Sequence, residues 1–245
     1  MSSTVAPFAA LRLSYGIVLR QLVTRGRLVA LAVVGLAVAA ISLAVGASDT
    51  RRDPVEAGVR LIADLGFTTL VPIVALVFAS AALGDQREDG TLVYLWLRPM
   101  DRWPIVVGAW GAAVTLSLPL TLVPLTASAV LVDGGDPLIG ATMAAGAVGV
   151  LAYSALFVLL GLLLRNSIVW GLGYILIWEG IVAAFGSFAA KLAVRGYTRS
   201  ILTSLTDVDL ELGDLPLAGG VVVPLVAGAA ALVAAAVRLR RMDIA

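Results

Sequence analysis

Few residues in this sequence have the chemistry that catalysis or metal binding needs. The chain has no histidine and no cysteine, so the commonest proton shuttle, the commonest metal ligands and a Ser-His pair are all missing. Its one lysine is Lys191, and no G-x-x-x-x-G-K-[ST] phosphate loop occurs. Two features remain: Glu179 stands alone inside an apolar run, and charged residues gather between 85 and 103. An intramembrane enzyme is therefore the least supported class.

The elements that must position these residues are membrane-spanning helices. The 245 residues are 60% hydrophobic and 13% charged, with a mean hydropathy of +1.03, which leaves too little polar surface to cover a soluble globule. Backbone groups in a bilayer must be hydrogen-bonded within the chain, so apolar runs of roughly 20 residues predict helices. The runs lie at 28–48, 65–84, 103–132, 137–164, 166–190 and 215–237. We predict an all-α integral membrane protein with six transmembrane helices in one domain, residues 1–245.

The basic residues predict how these spans are oriented, because arginine and lysine are enriched on the cytoplasmic side of a membrane. If both termini are cytoplasmic, eleven of the 17 basic residues fall on the inner side and six on the outer side. The sequence therefore predicts a multi-pass protein of the cell membrane with both ends inside. Its Ala-, Val-, Gly- and Arg-rich composition favours a GC-rich bacterium as the source.

Residues 1–27 predict an amphipathic helix ahead of the first span. Arg12 and Arg20 lie on one helical face, and apolar side chains share another. The apolar face consists of Leu11, Tyr15, Val18, Leu19 and Leu22. Such a helix suits the membrane interface, where it either anchors the chain to anionic lipid or docks a partner.

The charged segment 85–103 predicts a short cytoplasmic helix between the second and third spans. Gly90 offers a left-handed break, Thr91 can cap a helix, and Pro99 ends it. The apolar face of this helix consists of Leu92, Leu95 and Trp96. Asp101 is then a candidate N-cap for the third span. Held between two spans, the helix is either a lever for a partner protein or an ordinary packed loop.

This segment resembles the signature of ABC-2 type transporter permeases, E-x-G-T-L…L…P-x-x-R…I-x-x-G. The matching residues are Glu88, Asp89, Gly90, Thr91, Leu92, Leu95, Pro99, Arg102, Ile105 and Gly108. Asp101 and Ala109 depart from the pattern, since Ser or Thr and lysine are common at these two places. The rest of the chain is similar in outline: an Arg-bearing N-terminal helix, six spans, and a fifth span containing YILIWEG before an outer segment, VRGYTRSIL.

The resemblance implies the membrane-spanning half of an ATP-driven exporter. In that family a coupling helix between the second and third spans touches a cytoplasmic ATPase. The coupling residues carried over are Glu88, Gly90, Thr91, Leu92, Leu95, Trp96, Pro99 and Arg102. The implied partners are a separate ABC ATPase subunit, which binds ATP and Mg²⁺, and a second permease, identical or homologous. The chain itself would hold no cofactor or metal, and its substrate would be a hydrophobic or amphiphilic lipid, drug or antibiotic.

Glu179 supports two interpretations, because an ionisable group within an apolar span is costly unless it is paired, hydrated or neutralised. It is either a hydrogen-bond partner that fixes the fifth span, or a polar point on the translocation path or at an outer gate. The residues that follow, 189–214, carry both signs of charge and predict short extracytoplasmic helices.

Other classes of membrane protein make different demands on the sequence. An ion-coupled secondary transporter would need more membrane-embedded charges and two similar halves. A membrane scaffold without transport activity would need the six spans but no coupling segment. Nucleic-acid binding is not supported, because the basic residues are spread along the membrane flanks rather than gathered into one patch.

Overall fold

The computed structural model describes residues 7–47, 53–90, 101–181, 193–210 and 215–242, and every regular element in these ranges is helical. The helices are α1 (Pro7–Leu22), α2 (Arg25–Gly46), α3 (Pro54–Glu88), α4 (Trp103–Leu131), α5 (Gly135–Leu163), α6 (Ser167–Glu179), α7 (Val194–Thr206) and α8 (Leu217–Arg241). We call the end of the bundle that carries Arg25, Glu88 and Arg165 the inner end, because the distribution of basic residues predicts that it faces the cytoplasm.

Five of these helices are long and apolar enough to cross a membrane: α2, α3, α4, α5 and α8. The sixth predicted span, 166–190, is described only as far as residue 181. Its helix α6 has 13 residues, which at about 1.5 Å per residue reach roughly 20 Å, short of a ~30 Å hydrocarbon core. The all-α membrane architecture is therefore confirmed, and the count of six spans stays a prediction.

The centre of the bundle is formed by α3, α4 and α5. In their most apolar windows, 61% of α3 and 67% of α5 are buried, against 22% of α2 and 28% of α8. Small side chains bring α3 and α5 together: a Cβ added at Gly161 would lie 2.5 Å from the Ser80 carbonyl oxygen. Close approach of this kind replaces hydrophobic driving force as the source of helix association in lipid. The peripheral helices α2 and α8 leave most of their surface facing outward.

Helix α1 packs along α4 through a similar close contact. A Cβ added at Gly108 would lie 2.9 Å from both the Ser14 Cβ and the Tyr15 backbone nitrogen. The side chains of Ala10, Ser14, Val18 and Leu22 are buried, while Arg12 and Arg20 are exposed. One face of the predicted amphipathic helix thus packs on the third span, and the glycine of the I-x-x-G pattern makes room for it.

Two stretches of the described helices are π-helical, with hydrogen bonds that join residues five apart instead of four. They are Ile62–Leu70 within α3 and Tyr174–Glu179 at the end of α6. The first ends just before Pro72, where a kink is expected because proline has no N–H for the preceding turn. Such bulges are rare and are frequently found at functional sites. Both border α7, so the irregular backbone is concentrated around one short helix.

Candidate functional site

The coupling segment begins at the inner end of α3, and three side chains there bond to three other elements. The three side chains are those of Asp85, Gln86 and Glu88. We call these residues and the residues they contact the inner junction. The partners are Arg27 at the start of α2, Gln21 at the end of α1 and Asn166 at the start of α6. Each of these contacts leads to a different neighbouring element.

The three contacts of the inner junction differ in exposure. Arg27 Nη2 lies 2.8 Å from Asp85 Oδ2, and both side chains are about one third exposed. Gln86 is buried and its Nε2 donates to Gln21 Oε1 at 2.6 Å. Water reaches two of the three contacts, since Glu88 is exposed as well.

Glu88 links the coupling segment to the turn between α5 and α6. Its Oε1 accepts the backbone N–H of Asn166 at 2.8 Å. Asn166 has φ 54°, a left-handed conformation that asparagine tolerates better than most residues. Arg165 and Asn166 form a tight turn, and no local sequence pattern predicts that Glu88 accepts a hydrogen bond from it.

The structure describes only some of the predicted coupling residues. Gly90 has φ 67°, so the left-handed break predicted there is present, and no atom lies within 4 Å of an added Cβ. Glycine is favoured at position 90 by the backbone conformation and not by a lack of room for a side chain. Arg102 is the N-cap residue of α4. The others lie outside the described residues: Thr91, Leu92, Leu95, Trp96 and Pro99.

The cap predicted for the third span is wrong. The N-cap position of α4 is occupied by Arg102 rather than Asp101, and no side chain makes a capping hydrogen bond there. The helix begins instead with Pro104 in its first turn, where proline's fixed φ suits the helix and its missing N–H costs nothing. An exposed aspartate before a proline-started helix is therefore not required as a cap.

Glu179 lies in a second polar group, the outer cluster, which also contains Tyr153, Tyr174, Val194 and Arg195. The Tyr153 hydroxyl donates to Glu179 Oε2. Tyr174 donates to Oε1 at 2.9 Å, and the Val194 backbone N–H donates to the same oxygen at 3.2 Å. Glu179 has no exposed surface. Its carboxyl group thus joins α5, α6 and α7 at one buried point.

The position of α7 explains why a carboxyl group is needed here. Helix α7 begins at the buried residues Ala193 and Val194, where the first N–H groups of a helix lack the usual partners within the helix and cannot rely on water. Glu179 accepts one of them, and a negative charge is favoured at the positive end of a helix dipole. Arg195, only 7% exposed, lies near enough to interact electrostatically with this carboxyl group. These contacts fit the anchoring interpretation of Glu179, whereas its place on a translocation path stays a prediction.

A second polar contact holds α7 one turn further along. Arg199 Nη2 lies 2.5 Å from Asp64 Oδ1, in the π-helical stretch of α3. Arg195 and Arg199 are spaced by four residues and share a helical face. Arg195 and Arg199, two of the basic residues on the predicted outer side, are therefore buried in the protein.

The tyrosines of the outer cluster are not among the functional residues predicted from the sequence. A buried tyrosine hydroxyl needs a hydrogen-bond partner, and Tyr153 lies within a long apolar run. Among the six predicted apolar runs, Glu179 is the one acidic or basic residue. That argument could have paired the two. The contact between Tyr174 and Glu179 could not be predicted, because a spacing of five residues brings side chains together in a π-helix and not in an α-helix.

An apolar groove of about 580 Å³ lies beside the outer cluster, between α5, α6, α7 and α8. Its aromatic lining consists of Phe157, Tyr174, Trp178 and Tyr197. Tyr174 therefore belongs to both features, with its ring in the groove and its hydroxyl bonded to Glu179.

Comparison with protein-family models and with curated proteins finds no match to this sequence.

Proposed function

We propose that this chain is the membrane-spanning permease subunit of an ABC-2 type transporter. The observation that carries the proposal is the E-x-G-T-L…L…P-x-x-R…I-x-x-G pattern between Glu88 and Gly108, located between two apolar helices. A separate cytoplasmic ATPase binds ATP and Mg²⁺, and a second permease, identical or homologous, completes the membrane part. Closure of the ATPase pair pushes on the segment 85–103 and moves the spans.

The inner junction supports this mechanism because its contacts can transmit a displacement of the segment 85–103 to other helices. A push on the coupling segment reaches α3 directly through Glu88 and its neighbours. From there the contacts to Gln21, Arg27 and Asn166 lead to α1, α2 and α6. Rigid helices then transmit small movements over the thickness of the membrane.

The groove beside the outer cluster supports the class of substrate. Its lining is almost entirely aliphatic and aromatic, which suits a hydrophobic or amphiphilic molecule better than an ion or a sugar. Since the groove lies among membrane-spanning helices, such a substrate can enter from the bilayer. The direction of transport that we propose is export.

The proposal predicts that a gene next to this one encodes a soluble Walker-type ATPase, and it is tested with that protein. We expect the two proteins to co-purify and to hydrolyse ATP in proteoliposomes. Glu88→Lys and Leu95→Asp are expected to lower ATPase association at least tenfold, because they alter the proposed contact surface. The matched control is Asp136→Lys, an exposed charge reversal at the other end of the bundle. Unchanged association in both coupling variants would contradict the proposal.

A further inference from the structure

A second groove lies at the inner end of the bundle, between the start of α4 and the end of α8. It has a volume of about 350 Å³. Its walls are aliphatic, with Val107 on one side and Val233 and Val237 on the other, and its mouth carries Trp103 and Arg240. The groove does not adjoin the inner junction or the outer cluster, so neither the coupling mechanism nor the anchoring of α7 accounts for it.

The walls of this groove face the surroundings of the bundle. Val233 is 64% exposed and Val237 41% exposed, although both belong to a helix long and apolar enough to cross a membrane. In a bilayer such a slot is filled by hydrocarbon. Trp103, 38% exposed, has the amphipathic ring typical of residues at the level of the lipid headgroups.

The mouth of the groove is electrically positive. Arg240 lines it and is exposed, and α4 presents its N-terminus, the positive end of the helix dipole. In the sequence, three further arginines and two aspartates lie within three residues of Trp103 or Arg240: Arg102, Arg238, Arg241, Asp101 and Asp243. A guanidinium group binds phosphate through two parallel hydrogen bonds.

We propose that this groove is a binding site for an anionic phospholipid of the inner leaflet. One acyl chain lies between Val107 and Val233, and the phosphate contacts Arg240 beside the Trp103 ring. Basic pockets between helices at a membrane surface recognise acidic lipids by this combination of slot and cation. The inference does not depend on the transport function proposed above.

Trp103 supplies a local measurement of lipid binding. The protein is reconstituted in vesicles of phosphatidylcholine containing a minor fraction of either brominated phosphatidylglycerol or brominated phosphatidylcholine. The difference in tryptophan quenching between the natural chain and Trp103→Phe isolates the signal of Trp103. We expect the anionic brominated lipid to quench this signal more strongly than the neutral one at equal mole fraction.

Two variants separate the groove from general attraction to a basic surface. Arg240→Gln is expected to reduce the preference for phosphatidylglycerol about fivefold, the contribution of one arginine near a membrane surface. Arg238→Gln removes the same charge from the same exposed helix end without lining the groove, and should change the preference less than twofold. Ala236→Leu, which narrows the slot, should weaken quenching by both lipids.

Three results would overturn the proposal. Equal quenching of Trp103 by both brominated lipids would show that the groove holds hydrocarbon without selecting charge. Quenching by neither lipid would show that another protein surface, such as a second copy of this chain, covers it. An equal loss of preference in Arg238→Gln and Arg240→Gln would assign the effect to the charge of the whole helix end.

Discussion

The inner junction and the outer cluster both join several helices through polar side chains, but they do so in opposite ways. At the inner end, three separate side chains each contact a different element, and two of these contacts are open to water. At the outer cluster, one carboxyl group that has no exposed surface accepts three hydrogen bonds. The contacts of the inner junction can therefore rearrange at little cost in free energy, whereas those of the outer cluster cannot.

Exposure determines the difference in cost. A water-accessible ion pair such as Arg27 with Asp85 contributes about 0.2–1 kcal/mol, because water replaces either partner when it leaves. A buried acceptor such as Glu179 has no such replacement, so losing it leaves each donor unsatisfied. A transporter that moves when its inner end is pushed needs contacts that can be remade there and fixed contacts elsewhere.

The largest effect on stability is expected from Glu179→Leu. This variant leaves the Tyr153 and Tyr174 hydroxyls and the Val194 N–H without their acceptor, at about 1 kcal/mol or more each. The free energy of unfolding should fall by about 3 kcal/mol, read as a lower midpoint in detergent denaturation. Glu179→Gln keeps an acceptor oxygen and should lose less.

The same pair of variants tests the alternative role of Glu179. A residue that acts only on the translocation path would leave the unfolding midpoint of Glu179→Gln and Glu179→Leu unchanged while abolishing transport. That outcome would contradict the assignment of the outer cluster as the fixed part of the molecule.

An intermediate effect is expected where α1 packs on α4. Gly108→Val places a Cβ 2.9 Å from Ser14 Cβ and the Tyr15 nitrogen, and overpacking of this kind typically costs about 1–3 kcal/mol. Gly111→Ala is the control, since its added Cβ meets no atom closer than 3.6 Å. Protease sensitivity of residues 7–22 should rise in the first variant only. Equal sensitivity in both would contradict the close contact at Gly108.

The smallest effect on stability, with the clearest effect on coupling, is expected at Arg27 and Asp85. Arg27→Gln should lower the free energy of unfolding by less than about 1 kcal/mol while reducing ATP hydrolysis stimulated by substrate in the assembled complex. The charge-swapped double variant, Arg27→Asp with Asp85→Arg, should recover part of that activity. If Arg27→Gln lowered the free energy of unfolding as strongly as Glu179→Leu, the distinction between the inner junction and the outer cluster would be contradicted.

The sequence predicts the inner end of the molecule better than the outer end. The reason is that residues which end helices are recognisable locally. Gly90 and the Arg165–Asn166 turn adopt the conformations that their residue types favour. The apolar runs coincide with five long helices. The partners of Asp85, Gln86 and Glu88 lie 58, 65 and 78 residues away in the chain. No local pattern encodes contacts at such separation.

The outer cluster escapes prediction for a different reason. Glu179 stands out in the sequence, but its contacts depend on a π-helical turn and on α7 entering the bundle with Arg195 and Arg199 facing inward. Charged residues ordinarily predict an exposed helix face. Here the buried Glu179 and the exposed Asp64 face the two arginines, and tertiary contacts override the local pattern.

The central claim, that the segment 85–103 receives force from an ATPase, is tested most directly by cross-linking. Because the chain has no cysteine, Leu95→Cys introduces a single thiol that can carry a photo-activated cross-linker in the purified complex. We expect a covalent product with the ATPase subunit whose yield changes between ATP-bound and nucleotide-free states, and none from Leu205→Cys on α7. Absence of that product, or labelling of Leu95→Cys by a membrane-impermeant maleimide added outside intact cells, would contradict the account.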